Sequence, residues 1–71
     1  MSDVAITTAI NADLSEDREL SALHIDVGTK DGRVTLDGSA PNAGAKDRAQ
    51  TIAMSQKGVT AVDNKLAVET H

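Results

Sequence analysis

The chain has 71 residues, enough for one domain, and a chain of this size buries only about 60% of the surface that its unfolded form exposes. It contains no Cys, Phe, Trp or Tyr, which excludes a disulfide framework, a thiolate zinc site and aromatic stacking on nucleic-acid bases. The formal net charge of -4 disfavours nucleic acid and anionic lipid surfaces as partners. Residues 1–71 are therefore interpreted as a single domain with an aliphatic core.

A first helix is predicted over Asp3–Leu14, with Ser2 or Asp3 as its N-cap. Its apolar residues recur at the three- and four-residue spacing of a helix that buries one stripe. These residues are Ile6, Ala9, Ile10 and Leu14. Val4 falls off this stripe. The charged segment 15–19 is interpreted as a solvated loop, and Leu20 is expected to fill the core before the first strand.

The strongest local signal is a predicted β-hairpin over residues 23–38, in which two runs of alternating apolar and polar residues flank Asp31-Gly32. This dipeptide tolerates the positive φ angles of a tight type I′ turn. A two-residue loop places the apolar side chains of both strands on one face, whereas a loop one residue longer sends them to opposite faces. The predicted pairs are Lys30 with Arg33, Thr29 with Val34, Val27 with Leu36 and Ile25 with Gly38.

The same register sets Asp26 directly opposite Asp37 on the outward face, where like charges are unfavourable. Either Lys65 offsets the two carboxylates, if the third strand lies alongside, or solvation does. A weakly bound cation held by the two aspartates is a third hypothesis. No further metal site, cofactor or catalytic group is expected, because His24 is isolated on a strand and His71 is terminal.

After the turn 39–42, Asn42 is expected to cap a second helix over Ala43–Lys57, which Gly58 ends in the left-handed conformation. The helix is predicted to pack closely on the sheet, mostly through small residues. These residues are Ala45, Ala49, Ile52, Ala53 and Gln56. A third strand is predicted over Val59–Glu69, with one face in period two. That face carries Val62, Asn64, Leu66 and Val68.

The order helix, strand, strand, helix, strand predicts an α+β fold of the α-β-β-α-β type. We expect a two-layer sandwich in which two helices cover one face of a three-stranded sheet. The segment between the second and third strands is long enough for a right-handed crossover, so these strands are expected to be parallel. The pattern leaves open whether the third strand pairs with the first or with the second.

Several motifs, taken together and in order with the first helix, resemble the BON domain. They are Ile25-x-Val27, Asp31-Gly32-x-Val34-Thr35-Leu36-x-Gly38, Arg48-Ala49-x-x-Ile52-Ala53 and Gly58-Val59-x-x-Val62-x-Asn64-x-Leu66-x-Val68. The family is named for bacterial osmotically induced and nodulation proteins, and the resemblance covers nearly the whole chain. It implies the α-β-β-α-β fold, no enzymatic activity, and attachment to phospholipid membranes or to partners in the cell envelope.

The family's characteristic glycine matches Gly38. This residue is expected on the buried face opposite Ile25, where a missing side chain lets a helix approach or the strand bend. Gly32, Gly38 and Gly58 are all interpreted as structural, in turn, strand and cap positions.

The resulting hypothesis is a non-enzymatic, transport- or stress-associated binding module of the bacterial envelope. Its expected partner is a phospholipid membrane or an envelope protein, not nucleic acid or a small-molecule substrate, and it is periplasmic if an export signal precedes this sequence. The alternative is a cytoplasmic cation-responsive or protein-interaction module, favoured because the residues after Met1 lack the features of a signal peptide. The pattern does not determine an oligomeric state.

The candidate contact surface is the outer face of the second helix, where an apolar Met lies between amines that can meet phosphates. Its residues are Lys46, Gln50, Met54 and Lys57.

Overall fold

Two helices pack on one face of a mixed sheet in the computed structural model, which describes residues 2–69. The predicted α+β sandwich is confirmed, with a fourth short strand added. The elements in chain order are α1 (Asp3–Glu16), a 3₁₀ helix (Leu20–Ala22), β1 (Ile25–Lys30), β2 (Arg33–Ala40), α2 (Ala43–Met54), β3 (Ala61–Asn64) and β4 (Ala67–Val68).

The hairpin of β1 and β2 has the predicted register, with Val27 opposite Leu36. Asp31 and Gly32 have φ angles of 50° and 81°, as a type I′ turn requires. The apolar side chains consequently share one face: Val34 and Leu36 are fully buried, whereas the apolar residues of β1 are only partly buried.

The parallel pairing of β3 with β2 makes β2 the central strand and gives the order β1-β2-β3. This answers the question that the sequence left open. The predicted single strand over Val59–Glu69 is wrong, because it is split into β3 and β4. Both pieces pair with β2 in one unbroken register, from Arg33 with Ala61 to Ala40 with Val68.

The interruption between β3 and β4 has two local causes. On β2, Gly38 has a φ of 126°, which takes the backbone out of regular strand geometry. On the opposing segment, the Leu66 N–H donates to the Asn64 side-chain oxygen at 3.2 Å. The strand pairing resumes beyond this point, where the Glu69 N–H donates to the Ala40 carbonyl at 2.8 Å.

The structure corrects the expected position of Gly38. The residue lies opposite Ile25 as predicted, but it is exposed and not buried. A Cβ at this position would lie 2.3 Å from the His24 carbonyl oxygen. Glycine therefore fits here because of its positive φ and the close approach of the neighbouring backbone, and not because a helix packs against it.

Helix α1 begins as predicted, with the Ser2 hydroxyl accepting a hydrogen bond from the Ala5 N–H at 3.2 Å. It buries Ile6, Ile10 and Leu14, and it continues two residues beyond the predicted end, to Glu16. Val4 is 76% exposed.

The charged segment 15–19 is exposed as expected except at Asp17, and its first two residues belong to α1 and not to a loop. The Asp17 side chain is 16% exposed and accepts hydrogen bonds from the backbone N–H groups of Glu19 and Leu20. These bonds order the start of the 3₁₀ helix and direct Leu20 into the core, where it is 1% exposed. The Arg48 Nε lies 3.0 Å from the same carboxylate, so Asp17 also ties this segment to α2.

Helix α2 is capped by the Asn42 side chain, which accepts from the Ala45 N–H at 2.8 Å. Its predicted end at Lys57 is wrong, because the helix ends at Met54. The Ser55 hydroxyl then donates to the Ile52 carbonyl, and the Gln56 side chain donates to Asp13 on α1. The buried residues of α2 are Ala45, Ala49 and Ala53, which is the small-residue face expected for close packing on the sheet.

Candidate binding surface

The predicted contact residues on and after α2 occupy three different environments. Met54 is 51% exposed and lies at the end of the helix. Lys57 is exposed in the turn that follows. Lys46 is half-buried, and its carbonyl accepts a hydrogen bond from the Asn64 amide of β3 at 2.9 Å.

A shallow depression brings two of these four residues together. It is lined by Asp47, Gln50, Thr51, Met54 and Ser55. The depression is open to solvent and contains one carboxylate, supplied by Asp47. An apolar side chain from a partner can therefore lie against Met54, with hydrogen-bonding groups on either side.

The outward face of the sheet carries the expected facing aspartates, Asp26 and Asp37, both exposed. The expectation that Lys65 offsets them is not met, because the Lys65 Nζ lies 3.8 Å from Asp63 instead. Within residues 2–69 no group of three or more histidine or acidic side chains is placed to hold a metal ion. The two aspartates therefore supply only a pair of carboxylates to any cation.

Three acidic side chains on or just after α1 have structural roles that the sequence pattern did not reveal. Asp3 accepts hydrogen bonds from the Asp31 and Gly32 N–H groups in the hairpin turn, at 3.0 and 3.2 Å. Asp13 bonds to Gln56, and Asp17 pairs with Arg48. A local signal existed only for Asp17, which stands three residues before the core residue Leu20, as a capping residue does.

Glycines at the hairpin tip and after α2 bring the loops together. Gly32 is buried, its carbonyl accepts from the Thr60 N–H at 2.9 Å, and a Cβ on it would lie 2.8 Å from the Gly58 carbonyl oxygen. Gly58 has a φ of 91°, which reverses the chain between α2 and β3.

None of the helices formed by residues 2–69 is both long and apolar enough to cross a membrane. His24, the histidine within this range, is exposed just before β1. His71 lies outside the described residues.

The sequence matches a curated protein and a family model. The chain is 39% identical over 64 residues to "Osmotically-inducible protein Y" of Escherichia coli (strain K12), an alignment that covers 90% of this chain and 32% of that relative. The chain thus spans about a third of the length of the curated relative. The family model for the BON domain matches residues 2–70, nearly the entire sequence, and the chain therefore belongs to the BON domain family.

Proposed function

We infer that this chain is a non-enzymatic binding module associated with osmotic stress in the bacterial envelope. Membership of the BON family and similarity to a protein named as osmotically inducible support the stress association. The structure supports binding over catalysis through the roles of its less exposed acidic groups. Asp3, Asp13 and Asp17 each bond to another part of the fold, so their carboxylates hold elements together and are not directed at a substrate.

The surface around Met54 is the proposed contact site, and it is the observation that carries the function. Met54 is the most exposed large apolar residue outside α1 in the described chain, and a flexible thioether adapts to varied partners. The site consists of Lys46, Gln50, Met54 and Lys57, together with the depression beside Met54.

The charge around this site favours a protein partner over an anionic phospholipid. Asp47 lines the depression, and the net charge of -4 on the whole chain disfavours a phosphate-rich surface even though the site contains two lysines. A protein segment with one apolar side chain for Met54 and a basic group for Asp47 fits both features. We propose an envelope protein as the partner and a phospholipid membrane as the competing candidate.

Photocrosslinking from position 54 in living bacteria tests the proposal, with position 68 as the matched control because Val68 is also apolar and exposed. We expect an envelope protein crosslinked from position 54 and not from position 68. The same protein should crosslink from position 50 in the same depression, and Met54→Asp should abolish that crosslink. For vesicles of phosphatidylethanolamine and phosphatidylglycerol we expect a dissociation constant above about 1 μM. This corresponds to a binding free energy weaker than roughly -8 kcal/mol. Tight vesicle binding that is lost in Met54→Asp would identify lipid as the partner. The absence of both crosslinks and vesicle binding would refute the site.

One observation favours a second candidate, a cation-responsive module. Asp26 and Asp37 face each other as predicted, and an ion between them would relieve their repulsion. Two carboxylates on an open strand surface offer few of the 6–8 oxygen ligands that calcium takes, so this candidate ranks second.

A further inference from the structure

Strand β1 forms an edge of the sheet whose backbone groups have no neighbour beyond it in the order β1-β2-β3. Lys30 and Arg33 close the two-residue hairpin loop as a hydrogen-bonded pair, and bonded and non-bonded pairs alternate along an antiparallel ladder. The N–H and C=O groups of Val27 and Thr29 consequently point away from β2. The strand is six residues long, with neither proline nor a bulge, two of the features that block an edge from pairing.

The outward charges of β1 are unfavourably placed within the chain. Asp26 faces Asp37, and Lys30 faces Arg33. Within residues 2–69, the ion pairs formed involve neither Asp26 nor Lys30. Each end of the edge strand therefore carries a charged side chain that has no ion-pair partner of opposite charge within this range.

We propose that the β1 edge binds a second copy of this chain, as an antiparallel β1–β1 pair centred on Gly28. In this register Asp26 of each copy lies directly opposite Lys30 of the other, which forms two cross-strand pairs of opposite charge. Gly28 faces its own counterpart on the two-fold axis, and nothing lies within 4 Å of the position a Cβ would take there. The two sheets become one continuous sheet with the helices of both copies on the same side.

The charges select this register over its neighbours. A shift of two residues places either Asp26 or Lys30 opposite Gly28, so both opposite-charge pairs are lost. Side chains alternate between the two faces of a strand. A shift of one residue would therefore put the helices of the two copies on opposite sides of the joined sheet. The register centred on Gly28 is thus the one that satisfies both the faces and the charges.

The exposed side of α1 above this edge supports the same contact. Its residues are all uncharged: Val4, Thr8, Asn11 and Ser15. Two surface depressions connect this stripe to the strand, one shared by Val4 and Thr8 with Thr29, and one shared by Asn11 and Ser15 with Ile25. Asp3 also lines the first depression, but its carboxylate is bonded to the hairpin turn.

Depletion of charge around an apolar centre is typical of the core of a protein–protein interface. In this chain, where 25% of residues are charged, the α1 stripe is a local exception. The half-buried side chains of Ile25 and Val27 lie along the same edge, and Val4 is 76% exposed there. A second copy brings its own β1 and α1 against these residues and completes their burial.

Sedimentation equilibrium over a range of protein concentrations tests the proposal on the chain itself. The parent is expected to form dimers whose dissociation constant rises with salt, because two ion pairs are screened. Lys30→Asp turns both opposite-charge pairs into repulsive ones and should raise the dissociation constant roughly tenfold or more. The same change replaces a like-charge pair with Arg33 by an opposite-charge pair, so the fold of each chain is not weakened.

The decisive variant combines Asp26→Lys with Lys30→Asp, which exchanges the charges and should restore dimerisation. Lys57→Asp, the same charge change after α2, is the matched control and should leave the dimer unchanged. In the parent, hydrogen exchange at the Val27 and Thr29 amides should slow as the concentration rises. A parent that stays monomeric up to about 1 mM, a dimer insensitive to Lys30→Asp, or a combined variant that fails to dimerise would each overturn the proposal.

Discussion

The Asp3 carboxylate at the start of α1 accepts a hydrogen bond from the Gly32 backbone N–H at 3.2 Å, across 29 positions of the chain. Its other oxygen accepts from the Asp31 N–H at 3.0 Å. A single side chain therefore holds the first helix on the tip of the hairpin. The Thr7 and Thr29 hydroxyls bond at 2.7 Å one turn further along α1 and extend the same contact.

Asp3→Ala should lower the free energy of unfolding by about 1.5–3 kcal/mol, because hydrogen bonds to a charged group are lost and two turn amides lose their acceptor. Urea denaturation measures the change. Asp47→Ala on α2 is the control, since the Asp47 carboxylate takes part in none of the side-chain hydrogen bonds or ion pairs found within residues 2–69, and it should change stability by less than about 0.5 kcal/mol. Equal effects in the two variants would contradict the anchoring role.

Leu36→Ala should cost about 2–5 kcal/mol, because Leu36 is fully buried on the central strand and its removal leaves a cavity. In a domain this small, the loss is a large part of the total stability, and the variant is expected to be partly unfolded at room temperature. Met54→Ala, which truncates an exposed side chain, is the control for circular dichroism melts. A melting temperature close to that of the parent in Leu36→Ala would place the centre of the core elsewhere.

Two glycines of the hairpin should respond to alanine in opposite ways. Gly38→Ala forces a Cβ against the His24 carbonyl at a φ of 126°, and we expect a loss of about 1–3 kcal/mol. Gly28→Ala meets nothing within 4 Å and has an ordinary backbone, so it should be neutral or stabilise by up to about 1 kcal/mol. Thermal melts of the two variants and the parent are compared at low protein concentration. If both alanine variants were destabilised by the same amount, the positive φ and close backbone approach at Gly38 would not explain its need for glycine.

Asp26→Asn should raise stability at low salt by up to about 1 kcal/mol in the monomer, because the repulsion from Asp37 is removed. The gain should shrink as salt screens the two charges. Thermal melts with potassium or calcium at matched ionic strength distinguish this outcome from a cation site. If an ion binds between the aspartates, it stabilises the parent by mass action and Asp26→Asn loses that stabilisation.

Features that depend on neighbouring residues could be predicted from the amino-acid sequence. The turn at Asp31-Gly32 and the alternation of apolar residues set the hairpin register, because a shift of one residue reverses every side chain. The caps at Ser2 and Asn42 followed from short side chains that can accept from the first turn of a helix. The cross-strand pairing of Asp26 with Asp37, which motivates the cation test, followed from the same register.

Contacts between distant residues could not be predicted from the sequence and depend on how the elements pack. The partner of β3, the Asp17–Arg48 ion pair and the hydrogen bond between Gln56 and Asp13 join segments whose relative position no local pattern contains. The Gln56 bond accompanies the early end of α2, which helix periodicity did not predict. The candidate contact residues were likewise chosen by spacing on one helix. Only the structure shows that β3 packs beside this face, where the Asn64 amide donates to the Lys46 carbonyl and to the Gln50 side chain.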